Sequence, residues 1–195
     1  MSRRSIYLVQ VNNRYGENVY LPYSVGLLWA YASTFNEIVV AYDLCGFLYL
    51  KESISHAADR MTNPSLVAIS CYIWNWEWSK ALAKEVRVRH PNSLIVMGGP
   101  QVPNRSEGFF KEHPYVDVLV HGEGEIIFSE ILRERLKSTP NYQRVAGITV
   151  NQGGNSVRTL LRPRLPSNEL PPSPYLTGEF DDLLRDYPNL EFHVT

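Results

Sequence analysis

Five short apolar runs, Ile6 to Val11, Ile38 to Tyr42, Leu66 to Ser70, Leu94 to Met97 and Val116 to Val120, are each followed by a loop and then a helical pattern. No other feature narrows the possible folds so far. Most of the runs are continuous rather than alternating, as suits strands covered on both faces, and strands separated by helices pair parallel through right-handed crossovers. The expectation is an α/β, Rossmann-like (flavodoxin-like) doubly wound sheet of five parallel strands.

The helices are legible from their caps and stripes. Ser24 can cap one that carries Leu27, Leu28 and Tyr31, and a second runs from about Lys51 with Ile54, Ala58 and Met61 on one side. A third sets Trp78, Leu82 and Val86 four residues apart and stops at His90-Pro91. A short one covers Ser106 to His113, and the last, Glu125 to Lys137, buries Ile127, Phe128, Ile131, Leu132 and Leu136. Residues 1–139 thus form the main domain. After it, Gly147 to Val150 and Ser156 to Thr159 flank Asn151-Gln152-Gly153-Gly154-Asn155, which signals a β-hairpin appendage over residues 140–162. Residues 163–195 start with a proline-dense linker that is expected to be extended, and end in a strand-like run, Leu190 to Thr195, expected to lack a partner in this chain.

Charge and cysteine usage exclude several classes of function. The net charge is -1 from interspersed signs, with no basic block, so neither nucleic acid nor a membrane surface is an expected partner. No apolar stretch is long enough to span a bilayer, and no cleavage site follows the basic start, which points to a soluble cytoplasmic protein. Cys45 and Cys71 are the only cysteines, too few for a disulfide framework or a multi-thiolate metal site.

In an open parallel sheet, ligands bind beyond the carboxyl ends of the strands, where strand order reverses. The loop after the first strand, Asn12 to Tyr23, is longer than a plain βα turn needs. After the third strand comes Ser70-Cys71-Tyr72-Ile73-Trp74-Asn75-Trp76, an aromatic cluster that suits either a flat ligand or the cover of a helix–sheet junction; for Trp78 the second role fits better. Gly98 and Gly99, ending the fourth strand, let a ligand pass where any Cβ would collide. His121-Gly122-Glu123-Gly124-Glu125 opens directly into a helix, whose free N–H groups offer an anion or amide-oxygen site. This Gly-x-Gly falls short of a dinucleotide fingerprint, because Ile127 holds the third glycine's place.

These segments together resemble the N-terminal cobalamin-binding domain of cobalamin-dependent radical S-adenosylmethionine enzymes. The resemblance runs through Tyr20-Leu21-Pro22-Tyr23-Ser24-Val25-Gly26-Leu27-Leu28, Val67 to Ser70, Val96-Met97-Gly98-Gly99-Pro100, Asp117 to Glu125, and Leu170-Pro171-Pro172-Ser173-Pro174-Tyr175-Leu176-Thr177-Gly178. It implies that Leu21, Pro22 and Tyr23 meet the corrin edge and that Tyr72, Ile73 and Trp74 lie near its lower face. Ser70, Gly98, Gly99, Gln101, Gly122 and Glu123 would line the channel for the nucleotide tail.

Two departures from the family pattern shape the expected function. The loop after the first strand has no Asp-x-His-x-x-Gly, and Asp43-Leu44-Cys45-Gly46 lacks the imidazole, so the cobalt is expected to receive no protein histidine. The resemblance also implies a Cys-x-x-x-Cys-x-x-Cys motif holding a four-iron four-sulfur cluster and S-adenosylmethionine, which two separated cysteines cannot supply. The chain is therefore expected to present cobalamin to a radical SAM barrel outside it, for methyl transfer or a related alkylation or cyclisation of a small-molecule or peptide substrate. One rival reading is a docking or structural domain that no longer binds a corrin. Another is an independent enzyme using Glu123, Glu125 or Asp43 as acid or base, although single carboxylates at helix starts are mostly caps.

Overall fold

The computed structural model describes residues 3–14, 16, 18–166, 170–186 and 191–193. Strands β1 (Arg4–Val9), β3 (Tyr42–Leu48), β4 (Leu66–Ser70), β5 (Leu94–Gly98) and β6 (Val118–Val120) pair parallel in the order β3-β1-β4-β5-β6. The chain steps outward from β1 in both directions, so strand order reverses between β1 and β4, as in a flavodoxin-like sheet. The sheet has seven strands rather than five, because β7 (Ile148–Gln152) adds antiparallel to β6 and β8 (Asn155–Arg158) to β7. The hairpin turns at Gly153-Gly154, both at positive φ. It extends the main sheet and shares its core through Ile148.

The second strand lies later in the sequence than its apolar run suggested. Residues Asn36–Ala41 form a helix, α2, and the strand occupies Tyr42–Leu48. Within α2 only Ile38 is buried. An edge strand needs cover along little of its length, so polar Asp43 and exposed Cys45 are tolerated in β3, and a continuous apolar run was the wrong cue. The pairing slips at Cys45, where Ile6 opposes Leu44 but Tyr7 opposes Gly46.

The helices follow the expected order, with shorter ends. They are α1 (Tyr23–Ala32), α3 (Ile54–Asp59, capped by Ser53), α4 (Trp76–Arg89), α5 (Phe109–Glu112) and α6 (Glu125–Leu136). Pro22 rather than Ser24 is the N-cap of α1, and the buried stripe is Val25, Trp29 and Ala32. The cap role that Ser24 does not fill falls to Gln10, whose buried Oε1 accepts from the Val25 amide at 3.3 Å.

Two apolar layers sandwich the sheet. One, under α1 and α6, joins Ile6, Leu8, Leu66, Ala68, Val96, Val118 and Val120 to Val25, Ile127 and Ile131. The other, under α3, α4 and α5, joins Val9, Val67, Ile69, Ile95, Met97 and Leu119 to Leu82, Val86 and Phe110. Trp78 covers the second layer and donates its indole N–H to the Glu52 carbonyl at 2.8 Å, and Trp76 packs there against Phe109. Asp117 is also structural: its carboxylate accepts from the Ile95 amide at 2.7 Å and from Arg87.

Residues beyond the hairpin fold back on the domain. Pro174 and Phe180 are buried, and Phe180 packs on Phe47 and Tyr175 against α1 at Gly26, where an added Cβ would lie 2.4 Å from the ring. After α7 (Asp181–Asp186), strand β9 (Glu191–His193) pairs parallel with β2 (Asn18–Tyr20), a short strand inside the long first loop. The terminal strand therefore has a partner within the chain; Leu190, Val194 and Thr195 lie outside the described residues.

Candidate functional site

Along β4 and β5, side chains of one parity face α1 and α6, and these shrink toward the strand ends. Leu66 gives way to Ala68 and Ser70, and Leu94 and Val96 to Gly98. On the other face the same rows stay large, with Ile69 and Met97 fully packed. The sheet thus retreats from α1 and α6 at its carboxyl end, leaving a cavity of about 260 Å3. Ala68, Ser70, Val96, Gly98 and Val120 form its floor, Leu27, Leu28 and Phe128 its helical walls, and Gly122 to Glu125 its rim.

A second cavity, of about 510 Å3, opens above the switch point among Gln10, Asn12, Asn13, Tyr20, Tyr23, Ser24, Tyr72 and Trp74. Trp74 stacks on Tyr72 with ring centroids 4.6 Å apart and planes 12° from parallel, giving this cavity a flat aromatic wall. Buried Asn75 holds the loop that carries both rings. Its Nδ2 donates to the carbonyls of Val11 and Ser70 at 3.0 and 3.1 Å, and its Oδ1 accepts from the Tyr72 amide at 2.8 Å. Tyr23 faces both cavities and stacks on Tyr175 of the returning segment at 5.3 Å.

Of the residues singled out in the sequence, Tyr23, Ser70, Tyr72, Gly98, Gly99, Gly122 and Glu123 line the first cavity, and Tyr23, Tyr72 and Trp74 the second. Ile73 stands 78% exposed beside Trp74. Leu21 is in the core, Pro22 is buried, and the Gln101 amide donates to the Cys71 carbonyl; none of the three lines either cavity. Gln10, Tyr20, Ser24 and Leu28 also line the cavities, although their sequence signals, a polar residue ending a strand or an ordinary helix position, did not single them out.

The paired glycines have different causes. A Cβ on Gly99, which has φ +99°, would lie 2.7 Å from the Cys71 carbonyl oxygen and 2.9 Å from its nitrogen, so that glycine answers to the neighbouring strand. A Cβ on Gly98 would meet only the Val120 side chain at 3.4 Å, an ordinary contact on the cavity floor.

Charged groups are sparse here. Glu123 accepts from the Leu165 amide at 2.7 Å, while Glu125, whose Oε2 is shut from solvent without a hydrogen-bond partner among the described residues, has its pKa raised by burial. Asp43 pairs with Arg3 at 2.7 Å at the start of β3, the far end of the sheet, so the three carboxylates do not form one acid–base site. No histidine lines either cavity among the described residues. His121 lies in a third, polar hollow with Arg162 and Arg164; its Nε2 is 2.8 Å from Thr149 Oγ1, and burial, with Arg158 nearby, lowers its pKa to about 4. Among the described residues, no group of three metal-ligating side chains is found, and no helix is long and apolar enough to cross a membrane.

A doubly wound sheet with adjoining cavities at its switch point defines a small-molecule-binding domain. The sequence model of the B12 binding domain matches residues 28–132, more than half of the chain, which belongs to that cobalamin-binding family. The cobalamin-dependent radical SAM methyltransferase TokK of Streptomyces tokunonensis is 43% identical over 91% of this chain. The 2-(S-pantetheinyl)-carbapenam-3-carboxylate methyltransferase of Streptantibioticus cattleyicolor is 42% identical over 92%. The chain spans about a quarter of the length of these curated relatives, 26% of each. A shared fold extends to the radical S-adenosylmethionine methyltransferase TsrM from Kitasatospora setae, solved with cobalamin and a [4Fe-4S] cluster (TM-score 0.63, 16% identity, 89% of this chain and 32% of that one). It extends also to the cobalamin-dependent S-adenosylmethionine radical enzyme OxsB with aqua-cobalamin and S-adenosylmethionine bound (TM-score 0.62, 16% identity, 92% and 25%).

Proposed function

We propose that this chain holds cobalamin with the corrin in the cavity above the switch point and the nucleotide tail in the cavity between the sheet and helices α1 and α6. The observation that carries the reading is the pair of adjoining cavities, one broad with an aromatic wall and one narrow and floored by Gly98, Ser70 and Ala68, which share Tyr23, Ser24 and Tyr72. The residues fit the group: a large flat ring meets the Tyr72–Trp74 stack, and the tail meets a cleft whose floor a side chain at Gly98 would obstruct. Tyr72 and Trp74 would lie against the ring, with Ile73 adding apolar surface at the rim. Tyr23, Ser70, Gly98, Gly99, Gly122 and Glu123 would line the tail. Leu21, Pro22 and Gln101 would support these walls from behind.

When bound, cobalamin supplies a cobalt centre that can carry a methyl group. The chain's own part is to bind and orient it and to shield its tail from water. That no histidine lines either cavity among the described residues supports cobalt without a protein imidazole ligand. The relatives' greater length supports action together with a radical SAM barrel that uses a four-iron four-sulfur cluster and S-adenosylmethionine, in methyl transfer to a small-molecule or peptide substrate.

The test is to mix the purified chain with hydroxocobalamin, remove free ligand and record the visible spectrum. The expected result is a retained corrin band without a histidine-on signature, lost when Gly98→Leu fills the cleft. No retained band, either from this chain or from one extended to the relatives' length, overturns the reading in favour of a docking domain. A histidine-on spectrum overturns the ligation.

A further inference from the structure

Ser24 on α1 and Tyr72 on the loop after β4 are 48 residues apart, yet Ser24 Oγ and Tyr72 Oη meet at 2.6 Å across the switch point. Both residues, with Tyr23, line the narrow cavity and the broad one, so their side chains stand between the two. Each end of the bridge is held from behind. Tyr72 is fixed by its stack on Trp74 and by the bond from its amide to Asn75, and Tyr23, beside Ser24, by its stack on Tyr175. The bridge is thus a single hydrogen bond between braced elements, whereas the walls on either side are packed side chains.

We propose that the Ser24–Tyr72 hydrogen bond is a latch across the passage between the two cavities, which must open to admit the tail of a corrin that occupies both. This rests on the cobalamin reading above and adds a control on entry. A tail reaches the narrow cavity by passing from the broad one, and the hydroxyl pair crosses that passage. Once released, the two hydroxyls are free to bond to polar groups of the ligand, so the cost of opening falls on the rate of entry more than on the final affinity. A corrin without a tail, cobinamide, fills the broad cavity alone and leaves the bridge closed.

The test measures association rates of hydroxocobalamin and of cobinamide with the whole chain, by stopped-flow absorbance, in the wild type, Tyr72→Phe and Ser24→Ala. Phenylalanine keeps the ring that stacks on Trp74 and removes only the hydroxyl. The ratio of cobalamin to cobinamide rates is expected to rise about two- to tenfold in each variant, the worth of one neutral hydrogen bond expressed as a rate ratio. The double variant should rise no further than either single one, because one bond is at stake. Ser24→Ala keeps the test open should Tyr72→Phe disturb the loop. An unchanged ratio in both variants, or additive effects in the double variant, overturns the latch while leaving the cobalamin reading intact. Failure of the wild type to bind either corrin, both as this chain and extended to the relatives' length, overturns the reading and the latch with it.

Discussion

The two faces of the sheet use the same strands to opposite ends. Under α3, α4 and α5 the rows stay bulky to the strand tips, and Ile69, Cys71 and Met97 fill the layer against Leu82 and Val86. Burial there raises the Cys71 thiol to about 12 and leaves it inert. Under α1 and α6 the rows diminish to Ser70 and Gly98, and the layer is left hollow at its carboxyl end. Toward the strand tips one face is therefore filled and the other open, within one residue of each other along the same strand.

Substitutions that break this division should do so in graded steps. Leu82→Ala, in the filled layer, is expected to cost about 2–5 kcal/mol by urea unfolding, while the fraction still folded keeps its corrin. Gly99→Ala puts a Cβ against the Cys71 backbone at positive φ and should cost roughly 1–3 kcal/mol, as a lowered midpoint with no change in slope. A larger loss of corrin than of folded protein in that variant would mean that Gly99 contributes to the ligand's site beyond its fit against Cys71.

Gly26→Ala sharpens the contrast at the edge of the hollow face. Helix propensity favours alanine by about 1 kcal/mol, but the new Cβ displaces the buried Phe180 ring, whose burial is worth about 1.5–3 kcal/mol. The returning segment should loosen, seen as faster tryptic cleavage after Arg185 with little change in the midpoint of the sheet. Beside the hollow face, His121 has its pKa lowered to about 4, so between that value and its unfolded pKa near 6.5 the unfolded chain binds the extra proton. Stability should be lost as pH falls through that window. After discounting for partial exposure the loss is on the order of 1 kcal/mol, and His121→Gln should flatten that part of the curve. Gly98→Ala is the smallest and opposite in sign, a gain of roughly 0.5–1 kcal/mol from a less flexible unfolded chain, alongside weaker corrin retention.

Much of the fold was legible because β4, β5 and β6 are covered on both faces and read as continuous apolar runs between helices with clear stripes. Edge strand β3 escaped that cue, since an edge tolerates Asp43 and Cys45, and the apolar Ile38-Val39-Val40 turned out to be helical. The pairing of β2 with β9 joins residues 173 positions apart in register and has no local signature. At the site, the aromatic loop and the strand-end glycines stood out. Gln10 did not, and Ser24 and Asn75 stood there only as a helix cap and as part of the aromatic loop, because a glutamine closing a strand or an asparagine before a helix takes its meaning from partners far along the chain.

Residue order alone determined the doubly wound class and pointed to the rim of the sheet where a ligand is expected, because hydrophobic period and glycine placement are local properties that any covered parallel strand must satisfy. Only the tertiary structure separated Gly98 from Gly99. Adjacent in sequence and identical in chemistry, they differ in what stands opposite: an open cavity floor for one and the backbone of a neighbouring strand for the other. Contacts of that kind exist only after distant segments have packed.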